Sequence, residues 1–113
     1  MNTAIRLGPS QIGILVLTVA TAAIHFSRAA ADPQIAGLFA LNGLGYLALA
    51  IAFFLPALSK YRSWVRWIFI GYTAVTVLLY LVWGGMSGEW GVPLGPLDKV
   101  IEIGLIALLW REK

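Results

Sequence analysis

AGLFALNGLGYLALAIAFFLP, residues 36–56, is a run in which Asn42 and Tyr46 are the only strongly polar side chains before Pro56 closes it. A helix rises about 1.5 Å per residue and a hydrocarbon core is about 30 Å thick, so a run of this length reads as a membrane span. Gly37, Leu41, Gly45, Ala48 and Ala52 fall at helical spacings along one face. Small residues at such spacings let backbones approach closely where lipid supplies no hydrophobic drive between helices. Gly37, Gly45, Ala48 and Ala52 are therefore expected to pack against other helices of the chain or against a second copy.

Three further apolar runs flank this one, giving expected spans over about residues 11–31, 33–55, 64–84 and 96–111. The predicted fold is all-α: one membrane domain over residues 1–113, a polytopic four-helix bundle running up-down-up-down. The composition agrees, because a chain of 113 residues that is 60% hydrophobic and 12% charged has too little polar side chain to cover a soluble domain. Local signals mark the ends. Pro9-Ser10 can start the first helix, Asp32 can cap the second with Pro33 at its first position, and GGMSGEWGVPLG over residues 84–95 is turn-forming. The fourth span is short, so flanking Trp anchorage or slight local thinning is expected. A rival reading makes the first run a secretory signal peptide cleaved after Ala31, but His25 and Arg28 sit awkwardly between its apolar core and the cut.

The net charge of +3 comes from basic residues that flank the apolar runs, a topology signal with no nucleic-acid partner implied. Arg6, Lys60, Arg62, Arg66, Arg111 and Lys113 fall on one side, whereas Arg28 and Lys99 fall on the other with Asp32, Glu89 and Asp98. Both termini are thus expected in the cytoplasm of a multi-pass cell-membrane protein, and Arg66 with Trp64 and Trp67 is expected at an interface belt.

Polar residues inside the spans are few and patterned. Gln11, Thr18, Thr21, His25 and Arg28 trace one stripe of the first span, and Tyr72, Thr76 and Tyr80 step by four along the third with Thr73 alongside. Counted from the outer helix ends, His25 and Glu102 each lie about 9 Å deep, Thr76 about 12 Å and Asn42 about 13 Å. A bundle whose stripes face inward gathers His25, Asn42, Tyr46, Tyr72, Thr76, Tyr80, Lys99 and Glu102 in its outer half, where they are the candidate ligand- or proton-binding residues. Glu102 stands out, because a charge inside a span costs roughly 3 kcal/mol even on lenient insertion scales. It is expected to pair with His25 as one titrating unit, or with Lys99 on its own helix.

Counting ligands removes sharper chemistries. No cysteine is present, so disulfides and thiolate metal sites are excluded. Zinc needs three or four ligands, and the spans offer one His and one acid, so no metal is expected. A haem or other pigment on His25 would need a further axial partner or a dimer, and no cofactor is expected. With no nucleophile motif and no phosphate-cradling glycine pattern, the chain reads as non-enzymatic. Two functions fit: a small-ligand-binding or ion- or proton-handling module, and a non-catalytic accessory subunit of a larger membrane complex. Either implies a homo-oligomer or partner membrane subunits within the lipid bilayer.

The order of IHF at 24–26, ALNGLGYLALA at 40–50, a basic linker, GYTAVTVLLYLVW at 71–83 and Asp98-Lys99 opening the last span resembles a group of uncharacterised small four-span membrane proteins of archaea and bacteria. That group has no assigned activity, so the resemblance implies a fold and no catalytic residue. The small multidrug transporters share the size and span number but carry their essential acid in the first span, where this chain has His25.

Overall fold

The structure, a computed structural model, describes residues 8–34 and 36–112. Arg6 and Lys113, two of the six basic residues counted toward orientation, lie outside the described residues. Four α-helices occur in order: α1 (Pro9–Ala31), α2 (Ala36–Phe54), α3 (Arg62–Ser87) and α4 (Leu94–Arg111), with a 3-10 helix (Pro56–Tyr61) between α2 and α3. Among the described residues there is no strand.

The helix ends have local causes. Pro9 opens α1 at the position where a missing N–H costs nothing, and Gln11 Oε1 accepts the Gly8 N–H at 2.9 Å. Asp32 acts at the end of α1 and not at the start of α2. Its N–H donates to Arg28 O at 3.1 Å and its carboxylate accepts the Gln34 N–H at 3.1 Å, so residues 33–34 form a turn and α2 starts only at Ala36. α3 outruns its expected span at both ends. It stops at Gly88, whose φ of 75° is the left-handed region that favours glycine, with its N–H donating to Gly84 O at 2.8 Å.

Each helix packs against its sequence neighbours, and α1 meets α4 to close the ring. The α2–α4 diagonal is bridged by side chains, Tyr46 of α2 reaching Glu102 of α4. The core is a layered set of apolar residues: Ile14 and Ala22 from α1, Tyr46, Ala50 and Phe53 from α2, Phe69 and Ile70 from α3, Leu105 and Leu109 from α4.

The inward face of α2 departs from the expected one. Gly37, Leu41 and Ala48 are exposed and Gly45 and Ala52 half-buried, while Gly43, Tyr46, Ala50 and Phe53 are buried. Volume explains the shift. Between four helices of this length the centre must be filled by large side chains, and Tyr46 and Phe53 do so at 0% and 1% exposure, turning the small-residue stripe toward the flank. Gly45 still has a packing reason, because a Cβ there would run into the Tyr72 ring and hydroxyl.

Arg66, expected at an interface belt, is 6% exposed. Its Nη1 donates to Leu109 O at 3.2 Å and lies 3.5 Å from Trp110 O, and its guanidinium stacks 4.5 Å from the Trp67 ring centre. One turn earlier, Arg62 Nε donates to Phe53 O at 2.9 Å. Two arginines at the start of α3 thus satisfy carbonyls at the C-terminal ends of α4 and α2, where orphan acceptors and the negative dipole end both favour a cation.

Three helical stretches, Pro9–Ala31, Ala36–Phe54 and Pro56–Ser87, are long and apolar enough to cross a membrane by length and composition. α4 has 18 residues but carries Asp98, Lys99, Glu102 and Arg111, and its first three charges turn inward or along the helix flank.

Gly45→Leu drives a side chain into Tyr72 and displaces the hydroxyl that donates to Asn42 O at 2.7 Å. We expect a loss of about 1–3 kcal/mol. Gly37→Ala and Ala48→Leu, on the exposed side, should stay within about 0.5 kcal/mol of wild type. Thermal unfolding in one detergent, followed by near-ultraviolet circular dichroism, ranks the three.

Candidate functional site

Polar side chains enter the core mainly from α1 and α4, with Thr73 and Thr76 from α3 and the Tyr46 hydroxyl from α2. On α1 Ile14, Thr18, Thr21 and His25 are buried, with Ala22 beside them; on α4 Asp98, Glu102, Leu105 and Leu109 are, each set of four stepping by three or four so that one helix face supplies it. Along both helices the stripe changes from apolar to polar at the same end, where α1 finishes and α4 begins. The opposite half is sealed by Ile14, Phe53, Phe69, Leu105 and Leu109, none more than 1% exposed.

Thr21 is the hub of the polar half. Its hydroxyl donates to Asp98 Oδ1 at 2.5 Å and lies 3.3 Å from Glu102 Oε2 and 3.5 Å from His25 Nδ1. His25 Nδ1 is 2.8 Å from the Thr21 carbonyl oxygen, which can only accept, so the hydrogen-bond pattern assigns the ring proton to Nδ1. Nε2 is then left facing Asp98 Oδ2 at 3.9 Å, beyond hydrogen-bond reach. Glu102 is fully buried; the Tyr46 hydroxyl donates to its Oε2, and Lys99 Nζ pairs with its Oε1 and with Asp98 Oδ2, the latter at 3.2 Å. Thr73 and Thr76 stand beside the Tyr46 hydroxyl from α3.

Of the residues expected at a site, His25, Tyr46, Lys99 and Glu102 form this network. His25 and Glu102 do not hydrogen-bond each other: their ligand atoms lie within 4.8 Å and the Thr21 hydroxyl touches both. Thr76 is buried but its hydroxyl donates back to Tyr72 O at 2.9 Å, as Thr73 does to Phe69 O at 2.8 Å. Tyr72 binds Asn42 O, and its ring meets Tyr46 edge-on at 4.9 Å between centres. Tyr80 donates to Trp90 O at 2.6 Å and its ring lies 5.0 Å from Lys99 Nζ. Asn42, Tyr72 and Tyr80 therefore flank the charged cluster without entering it.

Asp98 is the residue that sequence reasoning placed elsewhere. It was counted among the outer-side charges at the opening of the fourth span and left out of the candidate site, whereas it is 4% exposed, bonded to Thr21, paired with Lys99 and close to His25. A signal was present: Asp98 lies four residues before Glu102 and seven before Leu105, on the same helical face.

This correction changes the ligand count. His25, Asp98 and Glu102 offer three ligand atoms within 4.8 Å of one another, enough for a small divalent cation in an open site. The Nδ1–H held by the Thr21 carbonyl is also how metal-binding imidazoles are commonly oriented. The Lys99 ammonium, however, already lies against both carboxylates, so a metal would have to displace it. As it stands, the cluster is a closed set of hydrogen bonds and ion contacts joining Thr21, Asp98, Lys99, Glu102 and Tyr46, with His25 beside it.

Above the network lies a cavity of about 400 Å³ lined by residues of all four helices. Its polar side comes mainly from α1 and α4 (His25, Arg28, Asp98, Lys99); α2 and α3 contribute mostly apolar and aromatic wall, with Asn42 and Thr76 at its edge. Trp90 folds back over Gly84, where a Cβ would collide with the indole, and so roofs the cavity from the α3–α4 connection.

Lys99→Met removes one partner of two buried carboxylates and should cost about 3–5 kcal/mol, with part of the loss recovered by adding Glu102→Gln. Tyr46→Phe deletes one donor to Glu102 and should cost about 1–3 kcal/mol. Denaturant titration of the purified proteins, read as a double-mutant cycle for the Lys99–Glu102 pair, checks both; additive effects would show that the pair contributes nothing. Comparison of the chain with protein-family models, with curated proteins and with solved structures finds no match.

Proposed function

We propose that the protein is an integral membrane four-helix bundle, up-down-up-down with both termini in the cytoplasm, that binds a small ligand in its outer half against a titratable floor, without catalysing a reaction. The supporting observation is a ligand-sized cavity lying directly against a buried network of polar and charged side chains. A volume of about 400 Å³ lies in the range of small-molecule pockets, roughly 300–1,000 Å³. Its floor holds His25, Asp98 and Lys99, with Glu102 and Tyr46 directly behind.

Three features support the membrane setting. Three helices have the length and composition to span it. The outward faces are apolar, with Leu41 at 69% and Val100 at 68% exposure, more apolar surface than a soluble monomer of this size tolerates. Asp98 and Glu102 of α4 are covered by α1 and α2, which is how a fourth, charge-bearing helix is accommodated in lipid. The sealed inner half argues against a conduit, because the polar chain ends at Tyr46 and Thr73 above a plug of Ile14, Phe69 and Leu105. Access from one side fits a receptor or sensor of an outside ligand, with protons exchanged only on that side.

A second reading, an accessory subunit of a larger membrane complex, draws on the exposed small residues Gly37 and Ala48 beside Leu41, which leave a flank for a second copy or another subunit.

Native mass spectrometry of protein released gently from membranes separates the two. Ligand binding predicts a small-molecule adduct on wild type that is lost in Asp98→Asn; a partner chain without any adduct, unaffected by that substitution, would overturn it. Reporter fusions at the C-terminus and within residues 84–95 should report inside and outside, respectively, and an external C-terminal reporter would refute the topology.

A further inference from the structure

The cavity is two-sided in chemistry. The α1–α4 side is charged and the α2–α3 side is apolar, and the apolar side is also the open one: Leu38, Leu79 and Val82 line the cavity while remaining 66%, 61% and 57% exposed. α2 and α3 make the slightest contact of the neighbouring α-helix pairs. A molecule seated here has its polar end against α1 and α4 and its apolar end leaving between α2 and α3.

Charge identifies the polar end. Lys99 lies between Asp98 and Glu102 and is offset by them. Arg28, in the last turn of α1, lines the same cavity, and among the described residues no carboxylate lies within ion-pair distance of it. Its guanidinium rests against Gly91, where an added Cβ would come within 3.2 Å of Nη2, and glycine there leaves the fork unobstructed. A planar, permanently charged fork with several donors is suited to a carboxylate or phosphate.

We propose that the cavity takes a single-chain amphiphile with an anionic head group, the head held by Arg28 beside the His25–Asp98–Lys99 floor and the chain passing between α2 and α3 into the bilayer. This rests on the membrane and ligand-binding reading above and adds the class of ligand. A fatty carboxylate and a monoalkyl phosphate share the recognised chemistry, and the test separates them.

The site contains its own reporters, because Trp83 and Trp90 line the cavity. Full-length protein in nanodiscs of uncharged lipid is titrated with four bromine-labelled probes of equal chain length: a fatty carboxylate, a monoalkyl phosphate, a primary alcohol and a primary amine. Bromine quenches indole fluorescence on contact, and saturable quenching marks binding. At least one anionic probe should saturate about tenfold below the alcohol, the gain of one charge-assisted contact, and whichever anion binds tighter names the head group. Arg28→Gln should abolish that preference and Arg28→Lys retain part of it, with folding checked by circular dichroism. Equal saturation by alcohol and anions, preference for the amine, or an unchanged anion preference in Arg28→Gln would each overturn the anionic assignment while leaving the cavity a binding site. Absence of saturable quenching by all four would overturn the amphiphile proposal, and the adduct experiment above would still decide the ligand-binding reading on its own.

Discussion

Two carboxylates within one turn of α4, Asp98 and Glu102, are buried between helices, and each needs partners that water no longer supplies. The rest of the polar half is arranged around that need. Thr21 from α1, Tyr46 from α2 and Lys99 from α4 itself each direct a donor or a positive charge toward the pair, with the His25 ring of α1 packed beside them. Because the partners lie on three different helices, the helices cannot slide or rotate independently without leaving a buried oxygen unsatisfied. Apolar surfaces of α1 to α4 would pack in several registers; the carboxylates select one.

The other half is held by a different device. There the helices end, and the unsatisfied groups are carbonyls, not carboxylates. Arg62 and Arg66 supply the cations, one to α2 and one to α4, so the start of α3 secures two helix ends at once. Between these polar ends stands the plug of Ile14, Phe53, Phe69, Leu105 and Leu109, which needs no directional contact and can be dry. The polarity gradient along the axis, charged cluster, apolar plug, arginine clamps, is what makes the cavity one-sided.

How much of this was legible follows from contrast. The four helices were, because apolar runs broken by Pro33, Pro56, Gly88 and the 84–95 segment leave few other choices. The inward faces of α1 and α4 were largely legible as well, since Thr21, His25 and Glu102 mark them in otherwise apolar helices. The face of α2 was not: every side is apolar, and the deciding quantity was the volume of Tyr46 and Phe53 at the centre, which spacing alone does not weigh against small residues at Gly37 and Ala48. Asp98 and Arg66 misled for the same reason. A charged residue near a helix end reads as solvent-facing, and only the tertiary partner, Thr21 for one and the Leu109 carbonyl for the other, shows that it is buried.

The position of Lys99 connects the network to the cavity. Its ammonium neutralises one of the two buried carboxylate charges and lies along the cavity wall, with the Tyr80 ring 5.0 Å away on its other side. A side chain with four rotatable carbons can lean toward either neighbour at small cost, whereas Thr21, Tyr46 and His25 are locked by packing. Of the two cations on the cavity wall, Arg28 and Lys99, it is Lys99 that is shared with the buried carboxylates. Helix packing fixes the carboxylates, and this one flexible side chain joins them to the cavity.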